Sequence, residues 1–276
     1  MNTFAKFLTI TFISILCVSS ANATGPRVTK SLFTANENEV HSVDFPPFVS
    51  SEVVDGGMVS EIVRTALSRA NIHADITIHP LRSMVLYYLT QENAMAMLGR
   101  HTHDLSQNPD KLITIPVITL DENYFYYQPK HPQGLKWEKD MKQLKGLTYG
   151  AHEGEDTSRF EKVGVHIVKG RTMSLIKKMV RGEVDFILAP SPTMEWLLKR
   201  YLSSEANKFT TVKDKMHKEA MVIAFNPNHK EATKAAQQFK AALAAMKKDG
   251  TFAAIVNRHL GGSEHGKLYL RRLDTL

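Results

Sequence analysis

What most constrains this chain is how its apolar periodicity switches, again and again, between two residues and about 3.6. Residues 39–48 read as a short strand that must stop at Pro46 and Pro47, because proline donates nothing to a ladder. Asp55-Gly56-Gly57 is a turn signal, after which Met58, Ile62, Val63, Ala66, Leu67 and Ala70 recur at helical spacing as far as Asn71. Residues 74–79 alternate as a strand, 82–90 read as a helix and 94–98 as a buried strand. The same grammar returns after an aromatic strand at 124–127 and a polar, proline-containing loop at 129–133. It gives a strand at 147–151, a short helix at 157–163 and a strand at 166–168. An amphipathic helix follows at 172–181, with Leu175, Ile176 and Met179 on one face and Gly182 as its stop. Next come a strand at 185–189 and a helix at 192–202 that carries Pro192 in its first turn. A strand at 220–225 leads into helices at 230–248 and 251–260, ended by Gly261-Gly262. Such alternation predicts an α/β fold built on a mostly parallel sheet.

The amino end carries a different message. Lys6 precedes an apolar run at 7–18 and then small polar residues, the layout of a secretory signal peptide. Ala21-Asn22-Ala23 offers small residues at −3 and −1, so cleavage is expected before Thr24, with 1–23 removed. The run is too short to span a bilayer, which needs about 20 apolar residues. Cys17 is the single cysteine, and Ser14-Ile15-Leu16 before it lacks the small residue that lipid attachment wants at −1. The mature chain is therefore expected to be soluble in the periplasm, without disulfide or thiol nucleophile, and to depend on an apolar core. With 43% hydrophobic residues it can build one large core or two modest ones. The formal charge of +7 comes from acidic and basic residues that interleave without a dense Lys/Arg run, so neither nucleic acid nor a membrane surface is the expected partner. No hydrolase triad, nucleotide loop or metal motif stands out, and no cofactor is expected. His101-x-His103 beside Asp104 lacks an ordered third ligand for zinc. The twelve methionines, Met95 and Met97 among them, fall at core spacings.

Five segments in this order resemble family 3 of the bacterial periplasmic solute-binding proteins, the substrate-binding components of amino-acid-type ABC importers. They are Asp44-Phe45-Pro46-Pro47-Phe48 with Asp55-Gly56-Gly57, His79-Pro80-Leu81-Arg82, Leu144-Lys145-Gly146-Leu147-Thr148-Tyr149-Gly150, Val180-Arg181-Gly182-Glu183-Val184-Asp185, and Met246-Lys247-Lys248-Asp249-Gly250-Thr251-Phe252. The resemblance implies a two-lobed type II periplasmic-binding-protein fold whose lobes close on a ligand about two hinge-crossing strands. Lobe one would combine 24–122 with 224–276, and lobe two would span 123–223. The crossings would lie near 124–127 and 222–225. It implies a monomer that passes a small molecule to an ABC permease or, in a sensory relative, signals to a membrane receptor. An enzymatic alternative is a cyclohexadienyl-dehydratase-like activity, which needs an acid-base carboxylate in the cleft; Glu153 and Glu155 are the candidates.

The candidate ligand residues are Arg100, Arg82, Phe45, Tyr124, Glu153, Thr157 and Ser191. Ligands of open α/β sheets bind beyond the carboxyl ends of strands, and those ends fall at 45–48, 79–82, 98–100, 151–156 and 189–191. Relatives that import α-amino acids clamp the carboxylate with an arginine just after the third strand, but 101–111 contains none. They hold the amino group with an aspartate where this chain has Pro190. Arg100 is the expected substitute anchor for an anionic or zwitterionic ligand, since a guanidinium holds a carboxylate through two parallel bonds. Its alternative is a surface arginine. Arg82 lines the cleft or forms a salt bridge within a lobe. Phe45 and Tyr124 stack on the ligand or fill lobe core. Asp156 is expected to cap a helix rather than to meet ligand.

Overall fold

The computed structural model describes residues 38–80, 82–90, 94–100, 112–138 and 140–271, including the backbone but not the side chains of Arg82 and Thr90. The expected signal peptide, the cleavage point before Thr24, Cys17, the His101-x-His103 pair and the side chain of Arg82 lie outside the described residues.

Eight strands form one sheet: β1 (Glu39–Val43), β2 (Asp75–His79), β3 (Ala96–Arg100), β4 (Ile113–Tyr127), β5 (Thr148–Ala151), β6 (His166–Lys169), β7 (Phe186–Pro190) and β8 (Phe209–Phe225). Their order is β2-β1-β3-β8-β4-β7-β5-β6. Within each outer trio the pairing is parallel, β1 with β2 and β3, β5 with β6 and β7. Between the trios runs an antiparallel ribbon of β4 and β8, and each outer neighbour joins it antiparallel. β3 pairs with β8 from Met221 to Phe225, whereas β7 pairs with β4 from Glu122 to Tyr126. The ribbon thus passes from one half of the fold to the other across Leu120–Glu122 and His217–Ala220. This is the α/β, two-lobed architecture expected, with both crossings made of strand.

The helices are α1 (Met58–Arg69), α2 (Arg82–Thr90), α3 (Ser158–Glu161), α4 (Thr172–Arg181), α5 (Ser191–Tyr201), α6 (Ala232–Lys248), α7 (Thr251–Leu260) and α8 (Glu264–Arg271). α1 forms because Met58, Val59, Ile62, Val63, Ala66 and Leu67 share one buried face. That face meets α6, whose Ala235, Ala236, Phe239, Leu243 and Met246 repeat at three- and four-residue steps. Gly57 starts α1 with φ +95, and a Cβ there would lie 2.6 Å from the Phe48 carbonyl oxygen, so only glycine fits. In the second half Leu175, Ile176 and Met179 of α4 pack on the sheet, and Gly182 ends the helix in the left-handed region at φ +80.

Three departures from the sequence expectation stand out, and the two in the ribbon share one cause. β4 begins at Ile113 rather than near 124, β8 begins at Phe209 rather than near 220, and α8 continues beyond Gly262. Pro116 interrupts the first segment and sits at a register shift, where its missing donor does least harm. The early part of β8, Phe-Thr-Thr-Val-Lys-Asp-Lys-Met-His-Lys-Glu, buries only Val212 and Glu219, so it carries little apolar alternation to read. In both strands pairing along the ribbon outweighs local pattern.

Candidate functional site

Between the halves lies a cavity of about 730 Å³. On the first side its wall is made by the chain leaving β1 and by the ends of β2 and β3, including Asp44, Phe45, Glu52, His79 and Arg100. On the second side it is made by the ends of β5 and β6 and the faces of α4 and α5, including His152, Glu153, Arg171, Ser174 and Lys177. Strand ends supply these residues because parallel strands point the same end of the sheet at the cleft.

The turn after β1 is tight. The Phe45 amide donates to the Val49 carbonyl at 2.6 Å and the Val49 amide returns to Phe45 at 3.0 Å. This presses the Phe45 ring inward, 7% exposed, beneath the Arg100 guanidinium at 4.6 Å. Arg100 is itself only 7% exposed, and its Nη1 lies 3.7 Å from Oε1 of Glu122, a carboxylate with no exposure at all. Arg100 therefore reaches the cavity, as the sequence led us to expect, while its charge also serves a buried acid on the ribbon.

Asp44 faces the cavity at the end of β1. Crowding by protein raises its carboxyl above the usual aspartate range; the Ser50 hydroxyl hydrogen bond opposes this, nearby Glu52 adds to it and Arg171 across the cleft opposes it. Behind the wall, His41 Nδ1 and His79 Nε2 are 2.8 Å apart and both rings stack with Tyr88. Burial, with His79 next, pushes the His41 imidazole down to about 4.

The second half rearranges several expectations. Glu153 lines the cavity and is exposed. Glu155 turns inward: its carboxylate accepts from the Tyr149 hydroxyl at 2.5 Å and from the His152 amide at 3.0 Å. Asp156 caps α3 by accepting from the Ser158 amide at 2.9 Å. Thr157 is 5% exposed and donates to Glu161 at 2.7 Å, and Ser191 accepts from Asn123 at 3.0 Å; neither borders the cavity. Tyr124 is lobe core, 4% exposed, with its ring 4.7 Å from Trp137 and its hydroxyl accepting from Arg159 at 2.6 Å. The structure thus brings Arg100, Phe45 and Glu153 to one cavity, and sends Tyr124 to lobe core and Thr157 and Ser191 to side-chain hydrogen bonds away from it.

Sequence reasoning missed Asp44, Glu52, Arg171, Lys177 and Thr193. The carboxyl end of β6, directly before α4, was a signal available and unused. Two contacts join the halves, the first of them at the cavity's edge through Glu52 and Tyr201. Glu52 accepts from Arg200 Nε at 2.9 Å and from the Tyr201 hydroxyl at 2.8 Å, and His265 on α8 meets Glu195 on α5 at 2.9 Å.

Among the described residues, two groups have donor atoms within 4.8 Å of one another: Glu122 with His217 and Glu219, and Asp55 with Glu61 and His259. In the second, Glu61 is engaged by Arg258 and by His259 at 2.7 Å. In the first, Arg100 supplies positive charge to Glu122.

No family model matches the sequence, and no curated protein sequence matches it. Solved structures do match the fold. The GluR0 ligand-binding core from Nostoc punctiforme, in complex with L-glutamate, has a TM-score of 0.63 at 14% identity, covering 81% of this chain and 99% of that one. The arginine-, lysine-, histidine-binding protein ArtJ from Geobacillus stearothermophilus has a TM-score of 0.61 at 18% identity, covering 86% of this chain and 99% of that one. A histidine kinase sensor domain with similarity to periplasmic binding proteins has a TM-score of 0.63 at 14% identity, with coverages of 81% and 96%. The fold is that of the two-lobed periplasmic-binding proteins.

Proposed function

We propose that this chain is an exported, monomeric family 3 solute-binding protein that captures a small polar molecule, anionic or zwitterionic, between its lobes and delivers it to an ABC importer. The observation that carries this reading is the 730 Å³ cavity, walled by charged side chains from both halves and bridged at its edge by Glu52 with Arg200 and Tyr201. A cavity of that size suits a ligand of a few tens of atoms at most. Lobe boundaries near 122 on β4 and at 217–220 on β8, a few residues before the 223 expected from the sequence, the cleavage before Thr24 and the periplasmic location belong to the same proposal. Structural neighbours that bind amino acids support the solute-binding class. The absence of an arginine in 101–111 and the presence of Pro190 argue against a simple α-amino acid held in the usual way.

Native mass spectrometry of protein purified without denaturation is the test: a retained small molecule, lost on unfolding, is expected. Protein that carries nothing and whose melting temperature responds to no small polar solute would count against capture. The similarity to a kinase sensor domain keeps a sensory role as the second reading. A permease and ATPase encoded beside this chain would favour import; an adjacent histidine kinase would favour sensing.

A further inference from the structure

We infer that the ligand's anionic group is received on the second lobe, at the start of α4, and not chiefly by Arg100. This rests on the solute-binding reading above and names the polarity of that same site. The cavity-lining residues Arg171, Thr172, Ser174 and Lys177 all lie at the amino end or in the first turns of α4, a ten-residue helix. Its first amide groups and helix dipole present partial positive charge there.

The side chains agree with the backbone. Arg171 and Lys177 are exposed towards the cavity, and neither forms an ion pair with another described residue. Arg100 differs, since it lies over Phe45 and beside the fully buried Glu122. A ligand anion at Arg100 would compete with a carboxylate already in place; at α4 it would meet two cations not so engaged. An independent sign comes from α5. Thr193 borders the same cavity, is 1% exposed, and its hydroxyl has no hydrogen-bond partner. A buried hydroxyl left so is costly, and a bound anion would give it an acceptor. The ligand class is a small organic acid, as carboxylate or phosphate, with room for a basic group against Asp44 across the cleft.

The probes are inorganic phosphate and succinate, added to the mature protein at constant ionic strength with chloride as reference and followed by thermal unfolding. Wild type is expected to show a saturable rise in melting temperature with one of them, phosphate indicating a phosphoryl group and succinate a carboxylate. In Arg171→Ala/Lys177→Ala the apparent Kd should weaken at least tenfold. Lys162→Ala/Lys199→Ala removes the same charge elsewhere and should leave the Kd within twofold. Thr193→Val should weaken anion binding while leaving the anion-free melting temperature unchanged or higher. Loss of the response in Arg100→Lys with retention in Arg171→Ala/Lys177→Ala would overturn the inference, and so would a response to neither anion. In that last case stabilisation by putrescine, or a retained neutral molecule in the mass spectrum, would leave the solute-binding reading standing and remove only its anionic polarity.

Discussion

His41 shows how a single residue behind the cavity couples the fold to pH. Its imidazole titrates near 4 in the native protein against about 6.5 unfolded, so between those values the unfolded chain binds more protons. Stability contributed by His41 is therefore fully present above pH 6.5 and is lost as the pH falls towards 4. Urea unfolding midpoints should decline across that window in wild type, and His41→Gln, which keeps hydrogen-bonding capacity but cannot titrate there, should flatten the decline. Arg100 makes a second residue-scale prediction. Removing a cation 3.7 Å from the fully buried Glu122 should destabilise the fold by about 3 kcal/mol, read from chemical denaturation of Arg100→Ala, with Arg100→Lys milder. An arginine expected from sequence to face solvent and ligand is thus also part of the interior. That double duty was not legible, because Glu122 is more than twenty residues away in sequence and its burial depends on strand pairing.

Among elements, helices were read well wherever one face is apolar. α1, α4, α6 and α7 announce themselves through buried residues at three- and four-residue spacing. β8 was read only where it is apolar, and its polar half became visible once cross-strand partners were in place, whereas the apolar first half of β4 was obscured by Pro116. The site followed the same division. Arg100, Phe45 and Glu153 were found because they follow strands recognised from sequence, whereas Arg171 and Lys177 stand on a helix whose apolar face drew attention to its opposite side. Element packing gives a further prediction at Gly150 in β5. A Cβ there would lie 2.8 Å from Ile187 Cγ2, 3.0 Å from Val184 and 3.1 Å from Leu175, between the sheet and α4. Gly150→Ala should cost about 1–3 kcal/mol through overpacking, measured by denaturant unfolding. In the other half Phe239→Ala, which empties a fully buried site on α6, should cost about 3–5 kcal/mol.

At the scale of the molecule, the two halves are joined by surface contacts of modest strength. Exposed ion pairs contribute up to about 1 kcal/mol, enough to shift a two-state balance by several fold if the proposed hinge opens. Glu52→Ala combined with Glu195→Ala removes both contacts between the halves and should increase the radius of gyration in small-angle scattering of ligand-free protein; an unchanged radius would show that the arrangement of the halves does not depend on them. The ribbon has another consequence, for the order of assembly. Every strand of the second half, with the part of the β4–β8 pairing that borders it, lies within residues 122–217, one uninterrupted stretch. The first half is split: β1, β2 and β3 must wait for Met221–Phe225 to complete their sheet edge and for α6 and α7 to cover α1. As the polypeptide emerges from the ribosome, the part made first is therefore the part finished last, and its apolar strands remain in search of partners until nearly the whole chain has been synthesised.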